Sequence, residues 1–183
     1  MRDETAISVR IVAIRDEAVD ICSFILRRAD GAAFPVVDPG AHVDIRLPTG
    51  AVRSFSLSNG LVDRKDYRLT VARDAKGTGG SVFMHDALKV GDMLTITRPH
   101  NNFALVRNAE LSVFIAGGIG ITPFIPMLAA LNEANRSWKL IYFAKTRDRA
   151  ALLSEIAHLA DTGRGEVICE FTAEPGGRRL SLG

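Results

Sequence analysis

Leu111-Ser-Val-Phe-Ile-Ala-Gly-Gly-Ile-Gly-Ile-Thr-Pro-Phe-Ile-Pro-Met-Leu-Ala-Ala-Leu-Asn132 is the stretch on which the fold turns. Its 22 residues carry no charge, enough to cross a bilayer as one helix. Gly117, Gly118, Gly120, Pro123 and Pro126 interrupt any such helix. The run reads instead as a buried parallel strand over 111–116, a glycine turn, and a helix with Thr122 as N-cap and Pro123 in first position. Phe124, Met127, Leu128 and Leu131 then recur at i, i+3, i+4 and i+7, which gives that helix one apolar face. A strand over 139–144 follows, then a helix over 149–160 with Leu152, Ile156 and Leu159 on one side, then a strand over 166–171. This β-α-β-α-β order opens a doubly wound sheet.

Upstream, the period is two. Ala41, Val43, Ile45 and Leu47 alternate with His42, Asp44 and Arg46, and Tyr67, Leu69 and Val71 with Arg68 and Thr70. Further strands are expected over 7–14, 18–28, 52–58 and 93–97. Turn signals at Pro39-Gly40, Thr49-Gly50, Asn59-Gly60 and Gly91-Asp92 separate the strands. Six short strands at this spacing predict an antiparallel barrel or sandwich, interrupted by one short helix from an N-cap at Ser81 to about Leu88. The pattern divides the chain into 1–107 and 108–183.

Composition removes other classes. The 183 residues carry 23 basic and 21 acidic side chains, so no excess of charge seeks an oppositely charged partner. The two signs stay balanced along the chain, 15 against 13 up to Arg107 and eight of each after it. No basic stripe points to nucleic acid. The charged N-terminus lacks a signal-peptide core, and no membrane span is expected. Cys22 and Cys169 cannot build a four-cysteine cluster, and they read as structural thiols in strands. Two cysteines also make a reducing cytoplasm the default. His42, His85, His100 and His158 show no metal-ligand spacing, so no metal is expected, and no serine–histidine–acid grouping suggests a hydrolase.

Three motifs remain. Gly117-Gly-Ile-Gly-Ile-Thr-Pro123 closes a strand and opens a helix, whose free N–H groups and dipole favour a phosphate. A ligand-free strand-to-helix turn would look the same. Gly77-Thr-Gly-Gly-Ser81 is either an anion-binding nest or a flexible hairpin loop. In Arg53-Ser-Phe-Ser-Leu57, alternation sets Arg53, Phe55 and Leu57 against Ser54 and Ser56.

Arg53-Ser-Phe-Ser-Leu57, Gly79-Gly80-Ser81 and Gly117–Pro123, in this order, resemble the ferredoxin-reductase superfamily, most closely its phthalate dioxygenase and vanillate demethylase reductases. The similarity extends through Pro39-Gly-Ala-His-Val-Asp44, Leu47-Pro-Thr-Gly50, Asp63-Arg64, His85-Asp86, Pro99-His-Asn-Asn-Phe103 and Tyr142-Phe-Ala-Lys-Thr-Arg147. It implies a six-stranded antiparallel flavin-binding barrel, then an incomplete doubly wound parallel-sheet domain for the nicotinamide cofactor. By that resemblance Arg53 and Ser81 contact the flavin phosphate and Gly79 and Gly80 supply N–H groups. Ser54, Phe55 and Ser56 line the isoalloxazine and ribityl chain, and Val71, Ala72 and Arg73 meet the pyrimidine edge. The family's usual tyrosine is Phe55 here, which keeps an aromatic face and removes a hydroxyl. FMN is the expected flavin, with FAD as the alternative.

The same resemblance gives NADH to Gly117, Gly118, Gly120, Ile121, Thr122 and Pro123, with Thr122 near the flavin. Lys145 and Arg147, at the end of the second α/β strand, are placed to meet the adenosine ribose or a phosphate; as residues alone they read equally well as solvated charges. The family has arginine at Lys145. His85 is expected to support the flavin loop. The implied activity is hydride transfer from NADH to the flavin and single-electron release to an iron–sulfur ferredoxin domain or protein feeding a terminal oxygenase. No side chain is expected to act as a catalytic acid or base. The family continues to a Cys-Gly-Pro motif and a ferredoxin domain, and Cys169, followed by Glu170, is not that cysteine. A half sheet of three strands leaves an edge and apolar faces uncovered, so self-association, a missing partner segment or a chain cut short is expected. The alternatives are a flavin-binding or interaction fragment without turnover, and an NAD(P)H:flavin reductase using flavin as a diffusible substrate.

Overall fold

The computed structural model describes residues 6–59 and 64–177; the expected Gly60 turn position, Asp63 and the segment 178–183 lie outside them. Strands β1 (Ala6–Ala18), β2 (Ile21–Arg28), β3 (His42–Arg46), β4 (Val52–Ser56), β5 (Asp66–Ala72) and β6 (Met93–Thr97) form one antiparallel sheet in the order β4-β3-β6-β1-β2-β5. Its ends approach each other. Beyond β4, the Ser58 N–H donates to Arg68 O at 2.9 Å, and Asn59 Oδ1 accepts from the Arg68 N–H at 2.9 Å. A buried hydroxyl chain runs Ser23 Oγ–Thr70 Oγ1–Ser58 Oγ at 2.8 Å per step, joining β2, β5 and the end of β4. These bonds satisfy polar groups that would otherwise be buried without partners, and they close the sheet into a barrel.

Alternation fills that barrel. Val9, Ile11, Val43, Ile45 and Leu69 are fully buried, and Phe34 enters from the 29–41 connection to stack on Tyr67 with ring centroids 3.7 Å apart. Strand limits differ from the expected ones at β4, which ends at Ser56 and not at Ser58, and most of all around the first turn. Ala18 ends β1, and Val19-Asp20 forms the turn into β2, with Asp20 at φ 61°. β1 therefore carries Arg15, Asp16 and Glu17 in a ribbon with β2, where their charges need no burial, and bulges between Ile11 and Ala13 and between Asp16 and Ala18 absorb the twist.

Helix α1 (Gly80–Ala87) lies between β5 and β6 in the chain. After the connector, β7 (Leu111–Gly117), a 3-10 turn (Gly118–Ile121), α2 (Phe124–Glu133), β8 (Ser137–Ala144), α3 (Leu153–Asp161) and β9 (Arg164–Phe171) build a parallel sheet, order β7-β8-β9. Trp138, Leu140, Tyr142 and Ala144 of β8 face one way and are buried in a core shared with Leu128 and Ile156 of the two helices. Among the described residues, nothing covers the β7 part of the opposite face. Leu111, Val113 and Ile115 are each more than half exposed, against the expectation of a buried strand. A parallel strand is hidden only when both sheet faces are covered, and the helices here pack against one.

The third helix also starts later than expected. Arg147–Arg149 form a short 3-10 turn, and Leu152 sits at φ 62° before Leu153 begins the helix. Leu152 is 5% exposed, so its burial in the second core offsets the cost of that backbone.

The two sheets meet along a seam. Ile21 and Ala72, in barrel strands, pack into the second core beside Ile119. Arg68 pairs with Glu155 at 2.8 Å and Arg149 with Asp20 at 2.8 Å across it. At Gly40, φ 97°, the connector and α2 press against the barrel. A methyl group there would collide with Phe103 O and lie 2.7 Å from Met127 Cε.

Candidate functional site

The Arg53 side chain reaches from β4, the barrel's edge strand, over the start of α1. Its guanidinium donates to Val52 O at 2.7 Å, to Thr78 O at 3.3 Å, and to the Thr78 hydroxyl. It lies against Gly80 so closely that a Cβ there would be 2.5 Å from Arg53 Nε. No carboxylate pairs with Arg53 among the described residues. Helix α1 begins after Gly79, at φ 83°, with no side-chain cap, which leaves its first N–H groups without a helical acceptor. An arginine with no carboxylate partner beside uncapped N–H groups has the chemistry to hold a dianionic phosphate.

Ser81 is not the N-cap expected from sequence. It is the second helical residue, and its Oγ accepts from the Asp74 N–H at 3.0 Å, tying down the preceding loop. Its hydroxyl proton remains available to an anion. Phe55 packs partly against the barrel core. Ser54 lies on the other face, where its hydroxyl donates to Asp44 Oδ1, and Ser56 is registered with His42. Arg53 and the two serines are therefore on opposite sides of one strand, able to bracket a ligand along its edge and not to share a single contact point.

Val71, Ala72 and Arg73 lead from this arm to the seam. His85 Nε2 donates to Val71 O at 2.9 Å and so fastens α1 to β5. Arg73 grips Asp86 through two bonds of 3.0 and 2.9 Å, and the hydrogen bond holds the Asp86 carboxyl below its ordinary range. Its own N–H donates to Asp20 O at 2.8 Å. Ala72 packs against the second core, next to the glycine turn.

That turn differs from the expected helix start. Gly118–Ile121 is already a 3-10 turn, and α2 follows after Pro123. Thr122 is in helical conformation with its hydroxyl donating back to Ile119 O at 3.1 Å, so it does not cap the helix. The groups left to an anion are the N–H groups of the glycine turn itself. A side chain added at Gly117, Gly118 or Gly120 would meet open space, so the bare backbone faces outward. Ile121 is buried and anchors the turn from beneath.

Lys145 and Arg147 follow the C-terminal end of β8, beside the end of β7, and both are exposed. Arg147 stacks on Phe171, its guanidinium 4.6 Å from the ring centroid, and the Arg147 backbone N–H donates to Glu174 Oε1 at 2.6 Å. Lys145 has an accepting carbonyl paired with the Ala173 N–H at 2.8 Å.

Both cysteines are half-buried. Cys22 donates to Asp16 Oδ1 at 3.3 Å, and burial with that acceptor raises its pKa to about 11; burial also raises Cys169. Sequence reasoning missed Thr78, the partner of Arg53. It also missed the grouping of His42 and His100 with Asp44. The alternation of residues 41–47 did place His42 and Asp44 on one face, whereas His100 joins them only through the fold.

A six-stranded antiparallel barrel with an arginine beside an uncapped helix start, followed by a parallel-sheet unit whose glycine turn exposes backbone, is the architecture of ferredoxin-reductase-type flavin and nicotinamide modules. The comparisons agree. The chain is 42% identical over 176 residues to phenoxybenzoate dioxygenase subunit beta of Ectopseudomonas oleovorans, covering 96% of this chain and 54% of that one. It is 38% identical over 178 residues to tetrachlorobenzoquinone reductase of Sphingobium chlorophenolicum, covering 97% and 55%. A solved phthalate dioxygenase reductase, described as a modular structure for electron transfer from pyridine nucleotides to [2Fe-2S], superposes with a TM-score of 0.87 at 30% identity, over 97% of this chain and 55% of that one. No family model matches. The chain belongs to the ferredoxin-reductase superfamily, with the reductases of the phthalate dioxygenase and vanillate demethylase type. It spans about half the length of the curated relatives it matches.

Proposed function

We propose that this chain is the flavin- and nicotinamide-binding part of an oxygenase reductase that takes hydride from NADH onto FMN and passes electrons singly to an iron–sulfur partner serving a terminal oxygenase. Residues 1–107 form the flavin unit and 108–183 the nicotinamide unit. The observation that carries this reading is Arg53, without a carboxylate partner among the described residues, lying over Gly80 at the uncapped start of α1. A bound flavin supplies the exchange between a hydride and single electrons. The chain's part is placement. Arg53, Gly79, Gly80 and Ser81 hold the phosphate, and Phe55 with Ser54 and Ser56 borders the ring system along β4. Val71–Arg73 present backbone at its far edge, held in place by His85 and Asp86. Across the seam, Gly117–Pro123 receive the nicotinamide nucleotide, with Lys145 and Arg147 beside its other end. One arginine at one helix start matches the terminal dianionic phosphate that FMN carries and FAD lacks, which is the reason to prefer FMN. Two unpaired thiols fit a reducing cytoplasm.

The bare β7 face favours a second reading, binding without turnover. Leu111, Val113 and Ile115 are exposed on β7, an edge strand among the described residues, beside a cleft of about 320 Å³ bordered by Phe103, Leu105, Phe114 and Phe124. The same surface suits self-association. The deciding experiment is reconstitution with FMN followed by anaerobic NADH. Uptake of about one flavin per chain and bleaching of its visible band supports the reductase; uptake without bleaching leaves the binding fragment. Turnover only with excess free flavin would favour the diffusible-substrate reductase, and failure to retain any flavin overturns the reading.

A further inference from the structure

We propose that His42, Asp44 and His100 form a divalent transition-metal site, best suited to Zn²⁺, on the outer face of the barrel. Their ligand atoms all lie within 4.8 Å of one another. The grouping is held by backbone. His42 and His100 exchange both N–H···O bonds, at 2.9 and 3.0 Å, in an isolated antiparallel bridge. Directly opposed residues in such a pair project to the same side. The rings meet edge to face with centroids 4.5 Å apart. Asp44 is two residues along β3 and so shares the face of His42. Its N–H donates to Thr97 Oγ1 at 3.0 Å, and Ser54, its register partner on β4, donates to one carboxylate oxygen. That bond turns the other oxygen toward His100, whose Nε2 lies 3.7 Å away.

The 3.7 Å separation is too long for a hydrogen bond, yet close to the ~3.4 Å between two ligands of a tetrahedral ion at ~2.1 Å. Two imidazoles and one carboxylate match the borderline-soft donor set that zinc takes. Ser54 acts as the outer partner that orients a ligating carboxylate. The three side chains are half-buried, half-buried and exposed, which leaves room for water at a fourth position. His100 lies in the connector between β6 and β7, so a bound ion would staple the barrel to the segment leading into the second sheet. The site lies on the β4 face of Ser54 and Ser56, which the proposed function sets beside the flavin ring, whereas Arg53 is on the opposite face.

The test is calorimetric titration of chelator-stripped full chain with Zn²⁺, with and without FMN, alongside Asp44→Asn and His100→Ala. The expected result is one site per chain, weakened at least tenfold in each variant, and a melting temperature that rises with zinc in the wild type only. Cobalt provides the second readout, and visible bands without a thiolate charge-transfer absorption are expected. Zinc uptake unchanged in both variants, no uptake at millimolar zinc, or a thiolate band traceable to Cys22 or Cys169 would each overturn the assignment.

Discussion

Replacing Arg53 with alanine tests the phosphate receptor in isolation. The guanidinium is half-buried and held by Val52 O and Thr78, so its orientation is fixed before a ligand arrives. A unit charge pair about 4 Å apart at an effective dielectric of about 20 would contribute ~4 kcal/mol. Solvent access at the barrel edge reduces that figure. The lower half of the range for a charge-assisted hydrogen bond, about 1.5–2 kcal/mol, therefore decides the estimate. It corresponds to FMN binding weakened about 10- to 30-fold. Titration followed by flavin fluorescence measures it, with riboflavin, which has no phosphate, as control. Riboflavin affinity should not change, and added salt should shrink the difference between wild type and variant for FMN. Arg53→Lys should recover only part of the loss, since an ammonium keeps the charge and loses the fork. Equal losses for FMN and riboflavin, or FMN affinity unchanged within about twofold, would refute the placement of a phosphate beside Arg53.

Two further outcomes concern the scaffold. Gly40→Ala forces a side chain onto a φ of 97° and into Phe103 O, so a loss of more than about 2 kcal/mol is expected from urea unfolding; a smaller loss would mean that the seam yields easily. Cys22, raised to about 11 from an ordinary 9.0, should react with iodoacetamide at pH 8 roughly tenfold more slowly than an unperturbed thiol, because the scarcity of thiolate outweighs its greater nucleophilicity. Asp16→Asn should speed that reaction, and mass spectrometry of the labelled peptide would show it. The sign of the pH effect follows from the same shift. The unfolded thiol ionises first, so Cys22's contribution to stability is lost as pH rises from about 9 to about 11.

Much of this architecture could be read from local pattern because each signal was a one-dimensional consequence of burial. Ala41, Val43, Ile45 and Leu47 alternate because one side of β3 faces the barrel core, and all four are buried. Phe124, Met127, Leu128 and Leu131 recur with helical spacing because one stripe of α2 meets β8. The glycines of residues 117–120 marked a turn because a backbone without side chains is itself the local signal. Where reading failed, the deciding energy was not local. Thr122 and Ser81 have the chemistry of caps, but the 3-10 turn and the Asp74 loop gave their hydroxyls other partners. Leu152 has helical propensity, and burial in the second core took it out of the helix.

The order of elements, the change from period two to α/β near residue 108, and the residue types able to hold a phosphate were all legible along the chain, since these depend on neighbours in sequence. Folding in three dimensions brought Arg53 to Thr78 and Gly80, left one face of β7 uncovered among the described residues, and set His100 beside His42 and Asp44. Those contacts join residues 25 to 58 positions apart or depend on what does not pack above a sheet. Chain closure and layer packing set such relations, and no local periodicity records them.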